Sequence, residues 1–265
     1  MPNALRRLRK RFWERAQERR IRRNIAQVTG FEANGTPTFE AYRGLNARNL
    51  LFFDSRTTAD LLISPDGLER RLERALDLRH PLHFVFSGRL VEMKGVLDLV
   101  GVAARLRQRE VPFRMSICGG GPLEAAMRAR AEREGLEGRV IFRGVLPFSE
   151  KLVPFLGEEA DVFVCCHAQG DPSCTYLETF ACGVPIAGYL NEAFAGLLRR
   201  VNAGWGSPVG DANALADRLA LLHARRDELV ERSRAARAFA AEHTFERTFA
   251  ARVAFFRECA GREPS

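Results

Sequence analysis

The run HFVFSGRL at residues 83–90 decides the fold of this chain. Its first five residues form a nearly continuous apolar run, which predicts a strand covered on both faces. Gly88 then allows a tight turn. Comparable runs follow at residues 113–118, 139–143, 161–166 and 184–188. Helical patterns separate them at residues 96–109, 123–134, 149–156 and 175–181.

This alternation predicts βαβ units. We therefore expect an α/β fold, a Rossmann-like parallel sheet with helices on both faces and right-handed connections. We assign this domain to residues 79–240. Residues 1–78 are predicted to be a basic helix followed by a linker, and residues 241–265 a C-terminal helix.

The flanking segments carry weaker patterns. Asn34-Gly35 and Thr36-Pro37 mark turns, so residues 30–49 are expected to be irregular connecting chain. The run at 50–53 predicts a short buried strand, and Ser64-Pro65 predicts the start of a helix. Residues 212–259 have a helical pattern throughout, with Thr244 as the N-cap of the last helix.

Positive charge is concentrated at the N-terminus. The whole chain has 41 Lys and Arg against 33 Asp and Glu, a net charge of +8. Residues 1–23 hold ten of these cations and two acids, so the remainder is neutral (31 − 31 = 0). A neutral body argues against a broad nucleic-acid-binding surface. With 46% hydrophobic and 28% charged residues, the composition excludes a disordered or collagen-like chain.

The basic segment at residues 4–23 is predicted to be a helix. Apolar residues recur at roughly helical spacing, and the other face is almost entirely basic. These apolar residues are Leu5, Leu8, Phe12, Trp13, Ala16 and Ile21. Two interpretations stay open, namely a helix that lies on an anionic membrane surface and a solvated linker helix packed on another domain.

The chain has six cysteines but no C-x-x-C pair. Without a secretion signal, we expect reduced, buried thiols in a cytoplasmic protein. His167 follows two cysteines, but no spaced His pair completes a zinc motif. The sequence therefore predicts no metal site.

The loops after the predicted strands are the places to look for a ligand. After the first strand, Gly88, Arg89 and Lys94 combine a turn with two cations beside a helix start, which suits a diphosphate. After the second, Gly119, Gly120 and Gly121 permit close approach to the backbone. A pair of solvated cations and a turn without a ligand are the open alternatives.

The next two loops add amides and carboxylates. Backbone amides of Arg143, Gly144 and Val145 offer a surface for a flat ring, and those of Ser173, Cys174 and Thr175 offer an anion site. Asp171 precedes the following helix and Glu178 lies within it. A carboxylate in such an apolar segment needs a partner, and ribose hydroxyls are suitable. A plain turn and a structural acid are the alternatives.

Taken in order, these motifs resemble a known family. The series GRLVEMKG, GGGP, VIFRG, DVFV and LETFACGVPI resembles the C-terminal half of group 1 glycosyltransferases, the retaining family 4 enzymes of the GT-B fold. The resemblance implies a nucleotide-sugar donor and no metal cofactor. It implies that Arg89 and Lys94 bind the donor diphosphate, that residues 143–145 lie along the base and that residues 173–175 meet the phosphate. Glu178 matches the ribose-binding glutamate, the second of the family's E-x7-E motif.

Two departures qualify the resemblance. Gly170 stands where the family has its first glutamate, so Asp171, one residue later, either takes over the contact with the transferred sugar or the contact is absent. Residues 1–78 are too few for a full acceptor domain, so the chain resembles a donor-binding half with a truncated N-terminal domain.

Two functions follow from the resemblance. One is a glycosyltransferase that acts on a glycan or lipid-linked acceptor at the cytoplasmic membrane face, together with a separate acceptor-domain subunit. The other is an inactive nucleotide-sugar-binding module or a truncated remnant. A Rossmann dehydrogenase is disfavoured because the chain has no G-x-G-x-x-G.

Overall fold

The computed structural model describes residues 4–261. The strands are β1 (Phe31–Asn34), β2 (Asn49–Phe52), β3 (Leu82–Ser87), β4 (Phe113–Cys118), β5 (Val140–Gly144), β6 (Val162–Cys165), β7 (Ile186–Tyr189) and β8 (Gly204–Ser207). The helices are α1 (Ala4–Gln27), α2 (Thr36–Tyr42), α3 (Pro65–Leu76), α4 (Val96–Gln108), α5 (Glu124–Arg133), α6 (Val153–Glu159), α7 (Cys174–Ala181), α8 (Glu192–Leu198), α9 (Ala212–Ala224), α10 (Asp227–Glu242) and α11 (Phe245–Ala260).

Six strands form one sheet in the order β5-β4-β3-β6-β7-β8, and every neighbouring pair is parallel. In chain order this is 3-2-1-4-5-6, the doubly wound arrangement, with its reversal between β3 and β6. The predicted Rossmann-like parallel sheet is confirmed. The five predicted strands are all present, and β8 is an additional strand that the sequence analysis missed.

The core lies on both faces of this sheet. All residues of β3, β6 and β7 are buried, as expected for central strands of a parallel sheet. On the helical layers, α4 packs with α9, whereas α7 packs with α10. The edge strand β5 alternates between less and more exposed positions, because successive side chains point to opposite faces and one face is covered less well there.

Residues 30–49 are ordered, which corrects the prediction of irregular chain. β1 and β2 form a parallel two-stranded sheet, and Gly35 N–H donates to the Phe52 carbonyl at 2.8 Å. Gly35 has a φ of 74° and Pro37 stands in the first turn of α2, so the turn residues start a helix here. The predicted strand at 50–53 is confirmed, but β2 is half-buried rather than buried.

Two buried arginines hold neighbouring elements together through backbone carbonyls. Arg71 of α3 donates to the carbonyls of Cys182 and Gly183, each at 2.5 Å, behind α7. Burial lowers the pKa of Arg71 to about 10, which still leaves it charged at neutral pH. Arg226 donates to the carbonyls of Ala75 and His80, which ties α10 to the end of α3 and the start of the sheet.

The terminal helices follow the sequence in part. α1 is helical as predicted, and Thr244 caps α11 by accepting from Arg247 N–H. The predicted division of α1 into an apolar and a basic face is wrong: over its length the helix has almost no net apolar side. Phe12 and Trp13 remain more than 60% exposed. Among the helices of residues 4–261, none is both long and apolar enough to cross a bilayer.

The six cysteines are free thiols. Cys118, Cys165, Cys166 and Cys182 are buried, as expected. Cys174 is exposed and Cys259 is partly exposed, so burial was predicted wrongly for these two.

His83 makes the stability of the sheet dependent on pH. Its ring is buried, and Nε2 lies 2.9 Å from Ser116 Oγ. Burial, followed by the charges of Arg114 and Arg143, lowers its pKa to about 4. Between this value and the unfolded value near 6.5, the unfolded chain binds more protons, so falling pH favours unfolding.

We expect acidification from pH 7.5 to 5 to remove about 2 kcal/mol of unfolding free energy through this residue. Denaturant unfolding of the wild type and His83→Gln at both pH values measures it, because other titrating groups cancel in the comparison. An equal loss in both proteins would contradict the assignment.

Candidate functional site

A cavity of about 250 Å³ opens at the carboxyl edge of the six-stranded sheet. It lies beside β3, near the reversal in strand order, where open α/β sheets bind ligands. Loops after β3, β4 and β5 line it together with α7. The lining residues are Arg56, Ser87, Gly88, Arg89, Cys118, Gly119, Gly120, Val145, Leu146, Leu152, Thr175 and Glu178.

The predicted site residues divide between this cavity and its surroundings. Those in the lining are Gly88, Arg89, Gly119, Gly120, Val145, Thr175 and Glu178. Those elsewhere in the described chain are Lys94, Arg143, Gly144, Asp171, Ser173 and Cys174. The folded chain thus brings together residues from four predicted loops.

The glycines bring the loops against one another. A Cβ on Gly119 would lie 1.9 Å from the Gly88 carbonyl oxygen, and one on Gly121 would lie 2.6 Å from that of Leu90. Backbone hydrogen bonds join the same loops, from Gly88 N–H to Cys118 at 2.9 Å and from Gly119 N–H to Gly144 at 2.7 Å. Gly119 and Gly121 therefore permit close contact between the loops, and close approach of a ligand to this backbone stays a prediction.

The two predicted cations lie on one loop but in different surroundings. Arg89 is exposed and lines the cavity. Lys94 ends a short 3-10 turn before α4, and its charge helps to lower the pKa of His167 in the loop after β6. Gly95 allows this approach, since a Cβ there would lie 2.0 Å from the Cys166 carbonyl oxygen.

Arg143 has a structural environment. Its Nε donates to Ser116 Oγ at 2.9 Å, and its guanidinium lies 4.4 Å from the ring centre of Phe155. The side chain is thus engaged outside the cavity lining. Val145, which is 76% exposed, lines the cavity instead, so contact with a base stays a prediction for the backbone of residues 143–145 and for Val145.

Glu178 is a buried carboxylate with one charged partner. Its Oε1 accepts a hydrogen bond from Arg56 Nε at 2.7 Å. The Glu178 side chain is 7% exposed and that of Arg56 is 59% exposed. The guanidinium also lies 3.8 Å from the ring centre of Phe148.

Sequence reasoning missed Arg56 and Phe148. Arg56 is 122 positions from Glu178 and follows β2, outside the six-stranded sheet. The search of strand-end loops covered the runs from residue 83 onward. Extending it to the loop after the predicted strand at 50–53 would have found Arg56.

Asp171 lies outside the cavity lining, half exposed, with Oδ1 3.1 Å from His167 Nε2. His167 is buried, and its pKa is lowered first by burial and then by Lys94, while Asp171 opposes the shift. His167 thus interacts with both Asp171 and the charge of Lys94. A contact between Asp171 and a sugar remains a prediction.

Ser173 and Cys174 face a narrow recess of about 20 Å³ next to Gly35 and Asp54, too small for a nucleotide. Their backbone amides remain the groups predicted to meet a phosphate. Cys118, which lines the cavity, has its pKa raised to about 11 by burial, so its thiol is protonated at neutral pH. Within residues 4–261, no three His, Cys, Asp or Glu side chains are grouped to hold a metal ion.

Comparison with known proteins decides the family. The family model described as glycosyl transferases group 1 matches residues 73–239, more than half of the chain. The chain belongs to the group 1 glycosyltransferases. This confirms the predicted group 1 family, and the match contains the whole cavity lining except Arg56.

Two relatives of this chain are named for polysaccharide biosynthesis. The putative colanic acid biosynthesis glycosyltransferase WcaL of Escherichia coli is 34% identical over 146 residues, which are 53% of this chain and 36% of WcaL. The amylovoran biosynthesis glycosyltransferase AmsK of Erwinia amylovora is 31% identical over 160 residues, 58% of this chain and 38% of AmsK. The chain thus spans a little over a third of these relatives.

The structure of Anabaena HepE in complex with UDP and glucose shares the fold. It superimposes with a TM-score of 0.69 at 17% identity, covering 90% of this chain and 66% of HepE. This likeness confirms the predicted GT-B-type fold.

The close loop contact at Gly119 predicts that a side chain at this position lowers the stability of the fold. We expect Gly119→Ala to cost about 3 kcal/mol or more, because the added Cβ clashes with the Gly88 backbone and the residue has a φ of 146°. Gly138→Ala is the control, since its φ of 74° is strained but its Cβ meets no atom within 4 Å, and it should cost about 1–2 kcal/mol. Chemical denaturation measures both, and equal costs would refute a special contact at Gly119.

Proposed function

We propose that this chain is the donor-binding half of a retaining family 4 glycosyltransferase. The main support is that Arg89 and the buried Glu178 line the same cavity. This cavity lies at the sheet edge of a group 1 glycosyltransferase domain. A cation and a carboxylate in one cavity match the two ends of a nucleoside diphosphate. In this proposal Arg89 and Lys94 hold the diphosphate, and Glu178 accepts hydrogen bonds from the ribose.

The proposed catalysis is electrostatic. As the sugar leaves the nucleotide, negative charge builds on the diphosphate, and fixed cations and amides stabilise that charge in the transition state. Arg89, Lys94 and the amides of residues 173–175 supply this stabilisation without a metal. Asp171 is proposed to contact the transferred sugar. In this proposal the bond between the anomeric carbon and the phosphate oxygen breaks, a bond to the acceptor hydroxyl oxygen forms on the same face of the sugar, and the hydroxyl proton leaves with the diphosphate.

The acceptor is proposed to be a glycan or lipid-linked glycan of a polysaccharide pathway. The names of WcaL and AmsK support this class. Ahead of the donor domain, the described residues contain one two-stranded sheet, which is small for an acceptor-binding domain. We therefore propose that a separate acceptor-domain subunit supplies the rest of the acceptor site. Binding without turnover by this chain alone would favour the module interpretation.

The diphosphate assignment predicts a selective effect of charge removal. Arg89→Ala or Lys94→Ala should weaken binding of UDP by about tenfold or more and leave uridine binding nearly unchanged, because uridine has no phosphate. Arg133→Ala, an exposed arginine on α5, is the matched control. Calorimetric titration measures all three. Equal losses for nucleotide and nucleoside would contradict the assignment.

We also propose that the chain is cytoplasmic and that α1 binds an anionic membrane face. Exposed Phe12 and Trp13 stand among the arginines of residues 6–23, which suits interfacial binding. The near absence of a net apolar side means that charge must provide most of the attraction.

The protein should therefore sediment together with vesicles that contain phosphatidylserine. About 0.5 M salt should release it into the supernatant, because screening shortens the range of the attraction. Neutral phosphatidylcholine vesicles are the control. Retention that high salt leaves unchanged would contradict an electrostatic mode of binding.

A further inference from the structure

The segment of residues 54–58 brings Arg56 to the cavity at the carboxyl edge of the sheet, and contacts of its neighbours hold the segment in place. Ser55 and Thr57 are buried, and Thr57 N–H donates to Ser55 Oγ at 3.1 Å. The Thr57 carbonyl accepts from Phe245 N–H at 2.9 Å, at the start of α11. Arg56 stands between these two anchored residues, so its backbone is fixed while its side chain lines the cavity.

Arg56 contacts two walls of the cavity region at once. Its Nε donates to Glu178 of α7, and its guanidinium stacks on Phe148 in the turn after β5. A cation over an aromatic face within about 6 Å is attracted to it. The guanidinium is therefore held from two sides although most of the side chain is exposed.

The hydrogen bond occupies one oxygen of the Glu178 carboxylate. Within residues 4–261 the bond from Arg56 goes to Oε1, and no hydrogen bond to Oε2 is formed. A nearly buried carboxylate is costly without a partner. Arg56 supplies that partner, and Oε2 stays available on a residue that lines the cavity.

We infer that Arg56 is a positioning residue for the nucleotide. It fixes the Glu178 carboxylate so that Oε2 accepts a hydrogen bond from the 2′-hydroxyl of the donor ribose. This inference rests on the proposed function, and it assigns a role to a residue outside the region that matches the family model. Arg56 acts through Glu178 and does not touch the reacting atoms.

The test compares a ribonucleotide with its 2′-deoxy counterpart. Binding of UDP, GDP and ADP to the wild type is titrated first, and the tightest of them is paired with its 2′-deoxy form. We expect the ribonucleotide to bind the wild type at least about tenfold more tightly. Arg56→Gln should reduce that preference to within about twofold by weakening ribonucleotide binding, with deoxynucleotide binding nearly unchanged.

Four further variants separate positioning from general damage. Arg252→Gln is the matched control, because Arg252 also pairs with a glutamate, Glu32, and stacks on a phenylalanine, Phe52, away from the cavity. It should keep the full preference. Glu178→Gln should lose the preference, and adding Arg56→Gln to it should have no further effect. Arg56→Lys should restore part of it.

Each contrary result has a separate meaning. Equal loss of affinity for both nucleotides in Arg56→Gln, or an unchanged preference, overturns the positioning role and leaves donor binding intact. Tighter ribonucleotide binding in Arg56→Gln also overturns it, since Arg56 would then compete with the ribose. If the folded wild type binds none of the three diphosphates, both this inference and the proposed function fail.

Discussion

Backbone contact between the loops after β3, β4 and β5 is the constraint on which the site depends. These loops touch where no side chain fits, because a Cβ added to Gly119 would lie only 1.9 Å from the Gly88 carbonyl oxygen. The parallel sheet brings the loops to one edge, and glycine lets them meet. Arg89 and Val145 then project from adjoining loops into one cavity.

A second set of contacts closes the other side of the site. Glu178 enters from α7, and its carboxylate is nearly buried, so a cation must accompany it. That cation, Arg56, comes from the loop after β2, which links the small N-terminal sheet to the six-stranded domain. Buried Arg71 and Arg226 join other elements in a similar way, through carbonyl groups. Arginine therefore holds the elements together both in the core and at the site.

The sequence was most informative where local pattern and global fold agree. Continuous apolar runs predicted the central strands because both faces of a parallel sheet are buried. It failed at β8, where Gly204 and Gly206 interrupt the apolar pattern, and at residues 30–49, where the turn residues proved to start a helix. The site loops were found from their order along the chain. The direction of the Arg143 side chain and the pairing of Arg56 with Glu178 depend on tertiary contacts, which no local pattern encodes.

We propose that this fold carries a working donor site, and titration of the unaltered protein is the most direct test. Calorimetry with UDP, GDP and ADP, each in EDTA and in magnesium, would measure affinity and metal dependence together. We predict micromolar binding of one diphosphate with the same affinity in both buffers. A folded protein that binds none of them, or that binds only with magnesium, would contradict it.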